Sequence, residues 1–125
     1  LEDPMDTCKV AMAAGASYVA RWRSTDFKQL TNSIKKGIQT KGLSFIEVLV
    51  PCPTQFGRYV LNISDAKEIV QWYKDNSVTL KKAEKMSPDE LQGKFLLGEF
   101  AHNEDRTGIV ERYWDAVKKI QEGRK

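Results

Sequence analysis

One stretch of the sequence constrains the fold more than any other: between residues 17 and 50, a strand, a helix and a second strand follow one another. Ser17–Trp22 combines β-branched and aromatic residues, as strands do. Ser44–Val50 is a nearly continuous apolar run, the pattern of a strand buried on both faces. The helix between them ends at Gly42, and its apolar stripe, spaced by three and four residues, is Phe27, Leu30, Ile34 and Ile38. Two strands joined in this way run parallel with a right-handed crossover, so the sequence predicts an α/β fold of three layers around a parallel βαβ core.

Shorter elements are predicted on both sides of this core. Before it, a helix is capped by Asp6. After it, a helix opens at Asn62 or Ser64, and Ser87–Glu90 combines the N-cap, proline and glutamate of a short helix start. A further strand is predicted over 94–100, and a last helix follows a polar turn. The third helix is predicted to turn Ala66, Ile69, Val70 and Tyr73 inward. The last helix carries apolar residues at helical spacing, namely Ile109, Tyr113, Val117 and Ile120.

Length and composition exclude several classes of protein. The chain has 125 residues, which suits a single domain, and its 41% hydrophobic residues exclude a disordered chain. Lys+Arg 20 against Asp+Glu 17 leaves a net charge of +3, which is too small to indicate a nucleic-acid partner. No apolar run approaches the ~18 residues that a transmembrane helix needs, so no membrane partner is expected.

Two further features bear on where the protein acts. Leu1–Pro4 has neither a basic n-region nor an initiator methionine. We therefore expect no secretory signal, and we expect the chain to begin inside a longer protein or after a removed leader. Cys8 and Cys52 are too few for a disulfide scaffold, and a reducing, cytoplasmic location is expected.

The loop after the second predicted strand is the strongest candidate for chemistry. Pro51–Arg58 is predicted to be a rigid loop because prolines on both sides of Cys52 fix the backbone. In parallel sheets, ligands gather at the carboxyl ends of strands, where this loop lies. A thiol held in one direction suits a metal-ligating thiolate or a nucleophile; a small buried residue that closes a strand end is the alternative. No second cysteine or histidine lies at ligand spacing, so Cys52 is expected to supply one ligand of a shared site.

The other candidates indicate little chemistry. Cys8 lies among alanines in the first predicted helix and is expected to be a core residue. His102 stands in the polar turn over 101–108 and is expected to be a solvated loop residue. The sequence contains no GxSxG nucleophile elbow, Walker A motif or GxGxxG loop, so no catalytic residue is assigned.

Several stretches of the chain carry a resemblance to a known family. Ala13–Arg21, a helix, and then Phe45–Arg58 with its Pro-Cys-Pro-Thr loop resemble the β subunit of 2-oxoacid:ferredoxin oxidoreductases. Met86–Lys94, followed by Leu97–Phe100, is similar to the tail of that subunit. The resemblance covers nearly the whole chain and is greatest to the 2-oxoglutarate branch.

The resemblance implies an oxidoreductase. In that family a 2-oxoacid is oxidatively decarboxylated, the acyl group passes to coenzyme A, and electrons pass through an iron–sulfur (4Fe–4S) cluster to ferredoxin. The β subunit, which works with an α subunit, holds thiamine diphosphate with Mg²⁺ and the cluster. Cys52 matches a cluster ligand of the family, and Pro51, Pro53 and Thr54 match the same motif and are expected only to position it.

Departures from the family pattern imply that the chain is the C-terminal part of such a subunit. The Gly-Asp-Gly motif that anchors Mg²⁺ and the diphosphate is missing, as are the other cluster cysteines. The chain alone is therefore expected to bind neither cofactor and to be inactive. Its residues 1–125 would form either a single domain or the second half of a thiamine-binding α/β domain.

Two alternatives remain open at the level of sequence. A non-enzymatic scaffold or subunit-docking module, in which Cys52 merely packs, is the competing class of function. Within the enzyme class, pyruvate or a branched-chain 2-oxoacid is an alternative substrate. A half-domain would also expose a sheet edge, so the chain is expected to self-associate or to pair with the remainder of the β subunit.

Overall fold

The computed structural model describes residues 5–123, and its centre is a mixed sheet of four strands in the order β2–β1–β4–β3. β1 and β2 are parallel, with Tyr18 opposite Ser44 and Arg23 opposite Leu49. β4 is antiparallel to β1 and parallel to β3. Helices cover both faces, which confirms the predicted three-layer α/β fold and its parallel βαβ unit. The expectation based on Leu1–Pro4 lies outside the described residues.

The helices and strands follow one another in the order α1, β1, α2, β2, a π-helix, α3, β3, α4, α5, β4 and α6. The strands are β1 Tyr18–Arg23, β2 Ser44–Leu49, β3 Ser77–Thr79 and β4 Phe95–His102. The helices are α1 Thr7–Ala13, α2 Phe27–Gln39, the π-helix Pro53–Leu61, α3 Ala66–Asp75, α4 Leu80–Ala83, α5 Pro88–Leu91 and α6 Ile109–Glu122. Among residues 5–123, no helix is both long enough and apolar enough to cross a membrane.

The crossover helix α2 packs on β1 and β2 through its smallest residues. Ser33 and Gly37 are its buried positions. A Cβ on Gly37 would lie 3.3 Å from Cδ1 of Ile46, so the absence of a side chain allows the helix to approach the sheet. Ser33 Oγ accepts a hydrogen bond of 2.7 Å from Nε1 of Trp22. Ser44 Oγ of β2 donates a hydrogen bond of 2.8 Å to the carbonyl of Gly37, so the helix is joined to each of the two strands by a polar contact as well as by close packing.

The predicted apolar stripe of α2 lies mostly outside the buried face of the helix, and of its four residues Leu30 is half-buried. Phe27 is 74% exposed and Ile38 is 81% exposed, and Ile34 is also exposed. The physical reason is that the close approach to β1 and β2 requires small residues on the inner face. The large apolar side chains of Phe27, Ile34 and Ile38 consequently lie outside the face that contacts the sheet and are exposed.

The prediction that the second strand is buried on both faces is also wrong for this chain. β2 is the outermost strand of the sheet on its side, and its residues are at most half-buried. Its neighbour β1, which lies between β2 and β4, contains the fully buried Tyr18, Val19 and Ala20. β2 thus has the apolar sequence of an interior strand in the position of an edge strand.

The core on the other face of the sheet is formed by α1 and β1. Asp6 caps α1 as predicted, and its side chain accepts from the backbone N–H groups of Cys8 and Lys9. Cys8, Ala11, Ala16 and Val19 form the buried cluster of this face. The prediction that Cys8 is a core residue is confirmed, since its exposed fraction is 0%.

The segment after β2 differs from expectation at its start. α3 begins after Asp65, whose side chain accepts from the N–H of Lys67, whereas Asn62 has the left-handed φ of 55° that ends the preceding π-helix. Ile69 of α3 is fully buried as predicted, but Ala66 is exposed. The short strand β3 and helix α4 were not predicted, because three or four residues carry too little periodicity to recognise.

The final elements agree better with the sequence. Ser87 and Glu90 form the predicted capping box of α5. β4 continues to His102, two residues past the predicted strand end. The last helix, α6, exists as predicted, but all of its residues except Val117 are exposed, so its apolar positions do not face the core of this chain. Its N-terminal turn is held by an ion pair between Lys41 and Glu111.

Candidate functional site

The site is built at the carboxyl end of β2, where the predicted rigid loop is in fact a helix. β2 ends at Leu49, Pro51 follows, and the π-helix begins at Pro53. Cys52 occupies the N-cap position, with its carbonyl accepting a hydrogen bond of 2.8 Å from the N–H of Gly57, five residues on. The prediction of a loop fails because the two prolines, which fix the entry geometry, stand just before and at the first position of the helix, where a missing N–H costs nothing.

The start of this helix surrounds the Cys52 sulfur with donors. The N–H of Gln55 points at Sγ from 3.5 Å, and Oγ1 of Thr54 lies 3.6 Å from it. Hydrogen bonds from the N–H groups of Phe56 and Gln55, and from the hydroxyl of Thr54, lower the pKa of Cys52 to about 7. Near neutral pH about half of the sulfur is therefore a thiolate, the form that acts as metal ligand or nucleophile. The side chain is partly exposed, so the sulfur can be reached from solvent.

Gly57 fixes the position of this helix start. A Cβ at this residue would lie 2.3 Å from Cδ1 of Ile69 and 3.1 Å from the carbonyl oxygen of Cys52. Only glycine allows α3 and the π-helix to come this close. The fully buried Ile69 thus holds, through Gly57, the turn that carries Cys52.

An aromatic cluster packs beside the π-helix. Trp72 and Tyr73 contact each other and both Phe56 and Phe95, with ring centroids 5.2–6.2 Å apart. Burial and the nearby charge of Cys52 raise the pKa of Tyr73, so the phenol stays neutral near the thiolate. The cluster provides a rigid apolar support on one side of the site.

Cys8 lies between α1 and the sheet, in an environment that contrasts with that of Cys52. Its Sγ donates to Oε2 of Glu47 over 3.4 Å. Burial, and to a lesser extent the carboxylates of Glu47 and Asp6, raises the pKa of Cys8 to about 12. This thiol is protonated and inaccessible, so the structure does not bring the two cysteines together as a ligand pair.

A buried ion-pair network anchors β2 to the rest of the fold. The Arg21 guanidinium contacts Glu47 Oε2 through Nε and Asp6 Oδ1 through Nη2, each over 2.6 Å, and its side chain is only 8% exposed. Thr7 adds a hydrogen bond of 2.8 Å to the same oxygen of Glu47. Although burial opposes ionisation, these donors hold the pKa values of Glu47 and Asp6 below their usual range. The sequence alone gave no signal for this network beyond a charged residue inside an apolar strand.

His102 is placed away from Cys52. It is the last residue of β4, and its ring makes an edge-to-face contact with Tyr18 at a centroid distance of 5.2 Å. Nε2 lies 3.3 Å from Oγ1 of Thr40 and 3.4 Å from Oε1 of Glu104. His102 therefore belongs to the strand rather than to the predicted turn, because β4 is longer than predicted, and it remains exposed.

The predicted site residues thus form a single group around one sulfur. Pro51, Pro53 and Thr54 lie next to Cys52, and the donors that the sequence did not reveal are the backbone N–H groups of Gln55 and Phe56. Within the part of the chain that the structure describes, no three His, Cys, Asp or Glu side chains are grouped so that they could hold a metal ion. A metal at this place requires ligands from outside those residues.

Comparison with known proteins gives a consistent set of relatives. No family model matches the chain. The chain is 46% identical over 121 residues to 2-oxoglutarate synthase subunit KorB of Methanocaldococcus jannaschii, covering 97% of this chain and 44% of the relative. It is 50% identical over 102 residues to the KorB subunit of Methanothermobacter thermautotrophicus, covering 82% and 35%. It is 34% identical over 117 residues to the 2-oxoacid:ferredoxin oxidoreductase subunit beta of Saccharolobus solfataricus, covering 92% and 37%.

A solved structure shares the fold. It is the 2-oxoglutarate:ferredoxin oxidoreductase from Magnetococcus marinus with 2-oxoglutarate, coenzyme A and succinyl-CoA bound. The TM-score is 0.72 at 17% sequence identity, and the match covers 96% of this chain and 40% of the other. The chain therefore spans less than half the length of these relatives. Along nearly its whole length, it is a homologue of part of the β subunit of 2-oxoacid:ferredoxin oxidoreductases.

Proposed function

We propose that this chain is part of the β subunit of a 2-oxoglutarate:ferredoxin oxidoreductase. In this complex a 2-oxoacid is oxidatively decarboxylated, the acyl group is passed to coenzyme A, and electrons leave to ferredoxin. The proposal is supported by relatives named 2-oxoglutarate synthase subunits at 44–50% identity. The remainder of the β subunit, an α subunit and ferredoxin are the proposed partners, and the cytoplasm is the proposed compartment.

The role that we assign to this chain is to supply one ligand of a 4Fe–4S cluster. The observation that carries this assignment is the Cys52 sulfur, which is reachable from solvent, has a pKa of about 7 and receives donors from the start of the π-helix. A cubane cluster needs four thiolates. Because Cys8 is buried and protonated, the other three thiolates must come from cysteines outside this chain.

The neighbouring residues fit a cluster ligand for a physical reason. The N–H groups of Gln55 and Phe56 and the Thr54 hydroxyl stabilise negative charge on the sulfur, and hydrogen bonds to cysteine sulfur are among the features that set the reduction potential of a cluster. When bound, the cluster accepts and passes single electrons. Pro51 and Pro53 fix the direction of the Cys52 side chain.

No residue of this chain is proposed to bind thiamine diphosphate or its Mg²⁺. The relatives are more than twice as long as the region that this chain matches, and the Gly-Asp-Gly motif is missing from the sequence. We propose that both cofactors are held by the rest of the complex and that residues 1–125 form the second half of the thiamine-binding α/β domain.

The ligand role is tested by replacing each cysteine in the complete complex. Cys52→Ser is expected to lower the iron and acid-labile sulfide content and to remove the cluster signal in electron paramagnetic resonance, because one of four thiolates is lost. Cys8→Ala is the matched control: it removes the other thiol of this chain and is expected to leave the iron content unchanged. Equal iron content in the Cys52→Ser and unaltered complexes would refute the ligand role.

The dependence on the rest of the complex is tested with the purified 125-residue chain. With 2-oxoglutarate, coenzyme A and a redox dye, no reduction of the dye is expected, since the chain supplies one cluster ligand and no cofactor anchor. Turnover by the isolated chain would contradict the assignment. The same assay on the complete complex, with pyruvate and a branched-chain 2-oxoacid alongside 2-oxoglutarate, decides which acid is the substrate.

A further inference from the structure

A groove between α2 and α4, over β1 and β4, has no role in the proposed function. It consists of two depressions of about 620 Å³ and about 360 Å³, and Trp22, Gln29 and Glu99 line both of them. Because they share these residues, the two depressions are continuous and are together called the α2–α4 groove. Each has a volume in the range of about 300–1,000 Å³ that is usual for sites that bind small molecules.

The end of the groove next to α4 offers an apolar slot. Trp22 of β1 and Leu80 of α4 line it, and both are half-buried. Leu80 packs directly on β4, where a Cβ at Gly98 would lie 2.8 Å from its Cδ1. Nε1 of Trp22 donates to Ser33 Oγ over 2.7 Å, which fixes the orientation of the indole. A fixed aromatic ring of this kind is a platform on which a planar base stacks.

Polar groups of α2 and β4 continue the groove. The side-chain amide of Gln29 has both donors and acceptors, which suits the edge of a purine. Both carboxylate oxygens of Glu99 accept from Nζ of Lys36, over 2.7 Å and 2.9 Å. The carboxylate is thus held in place but retains further lone pairs. A carboxylate in this state suits the hydroxyls of a ribose.

The end of the groove away from α4 is positively charged. Lys35 and Lys36 line the smaller depression, and the lysines of α2 are accompanied by no acidic residue on that helix. At the other end, the charges of Lys81 and Glu84 offset each other. Gln29 and Lys36 lie about two helical turns apart, or about 10 Å along α2. An extended nucleotide spans a similar distance between its base and its terminal phosphates.

We propose that the α2–α4 groove binds a purine nucleotide whose ribose hydroxyls are free. The base lies between Trp22 and Leu80 and bonds to Gln29. The ribose hydroxyls donate to Glu99, and the phosphates lie near Lys35. Coenzyme A also contains an adenosine, but its ribose carries a phosphate whose negative charge would lie against the Glu99 carboxylate. The inference goes beyond the proposed function and does not depend on it.

The place of binding is tested by photolabelling the complete complex with 8-azido-ATP and mapping the label by mass spectrometry. The label is expected on residues that line the α2–α4 groove. ATP is expected to prevent this labelling, whereas coenzyme A at the same concentration is not. Labelling of other residues only would overturn the inference. Equal protection by coenzyme A or by inorganic triphosphate would also overturn it, because the ribose hydroxyls or the base would then not be recognised.

The contacts to the base are tested by the concentration of ATP that halves the labelling. Trp22→Leu is expected to raise this concentration at least about fivefold, because the stacking platform is lost. Trp22→Phe, which keeps a ring, is expected to restore most of the affinity. Gln29 is exposed, so Gln29→Ala leaves the core intact, and about a threefold rise is expected from the lost hydrogen bonds. An unchanged concentration in Gln29→Ala would overturn the assignment of the base to this groove.

The contact to the phosphates is tested with two matched substitutions. Lys28→Ala and Lys35→Ala each remove one exposed lysine from α2, and of the two only Lys35 lines the groove. Lys35→Ala is expected to raise the concentration of ATP that halves the labelling about threefold at low ionic strength and to leave that of adenosine unchanged. Lys28→Ala is expected to change neither. Equal effects of the two substitutions would overturn the inference, since they would show only a general attraction of ATP to a basic helix.

Discussion

The two cysteines both lie near β2 and show how strongly the environment can shift the pKa values of two identical side chains. Cys8 is packed against β2, where burial and nearby carboxylates raise the pKa of its thiol to about 12. Cys52 lies just beyond the end of β2, where backbone N–H groups lower the pKa of its thiol to about 7. Burial without donors makes a thiol inert, whereas donors without burial make it a thiolate. Cys8 is therefore part of the core, whereas the thiol of Cys52 has the properties that the proposed ligand role requires.

The largest expected effect is on thiol reactivity. At pH 7 the thiolate fraction is about one half for Cys52 and about 10⁻⁵ for Cys8, from their pKa values of about 7 and about 12. Because a thiolate of lower pKa is also intrinsically less nucleophilic, iodoacetamide is expected to alkylate Cys52 at least about 100-fold faster than Cys8 in the folded chain, as measured by mass spectrometry of tryptic peptides. The alkylation rate of Cys52 should rise with pH and level off above its pKa. Comparable alkylation rates for the two thiols in the folded chain would contradict the large difference between their pKa values.

The next effect concerns the ion pairs that hold β2. Arg21→Met is expected to lower the free energy of unfolding by roughly 3 kcal/mol, the low end of the range for breaking a buried pair, because Glu47 and Asp6 retain some contact with water. Urea unfolding followed by tryptophan fluorescence measures the loss. The alkylation rate of Cys52 in the folded variant serves as the control and should be unchanged. If that rate changes as much as the stability does, the two cysteine regions are coupled through β2.

The acid stability of the chain should report the same network. Both Glu47 and Asp6 have pKa values below their usual range in the folded chain. Since carboxylates with a lowered pKa favour folding only while they are ionised, their contribution is complete above about pH 5 and is lost as the pH falls through the folded pKa values. Glu47→Gln is expected to flatten the decline in unfolding free energy between about pH 5 and 3. A decline as steep as that of the unaltered chain would show that Glu47 is not responsible.

The smallest effect should come from the third donor to Cys52. Thr54→Val removes the hydroxyl near the sulfur but leaves the N–H donors of Gln55 and Phe56, which include the larger causes of the lowered pKa. The pKa of Cys52 is expected to rise, with an alkylation rate at pH 7 about two- to threefold lower. Thr54→Ser keeps the hydroxyl and should restore the rate. A loss in both variants would indicate a change in helix geometry.

Sequence alone predicted the elements whose signal is local and repeated. The βαβ unit was recognised because two strands and a helix each present several residues of the right period. The sequence did not show which face of α2 is buried. Helical periodicity shows that an apolar stripe exists, but it does not show whether the stripe faces the chain's own sheet. The small residues Ser33 and Gly37 determine which face of α2 packs on the sheet, and a pattern of hydrophobic residues contains no information on side-chain size.

The sequence identified Cys52 as the candidate site residue, but it did not identify the hydrogen-bond donors that lower the pKa of its thiol. Two prolines around Cys52 drew attention to the residue and also suggested a loop. The π-helix depends on Gly57, which alone allows contact with Ile69 of α3. That contact joins residues 12 positions apart, and no local pattern encodes it. The N–H donors that lower the pKa of Cys52 belong to Gln55 and Phe56. Because every residue except proline carries a backbone N–H, the residue types at these positions do not identify them as donors.

The exposure of α6 has a consequence for the cooperativity of the chain. A helix of this length, 14 residues, is close to the limit at which helix–coil equilibrium favours the coil in water. It is held by the Lys41–Glu111 ion pair and by the bond from the Gly108 N–H to Glu111 over 3.0 Å. An exposed ion pair of this kind contributes at most about 1 kcal/mol to stability. We therefore expect α6 to melt separately from the sheet, as a non-cooperative loss of helix at temperatures where the core around Cys8 is still intact.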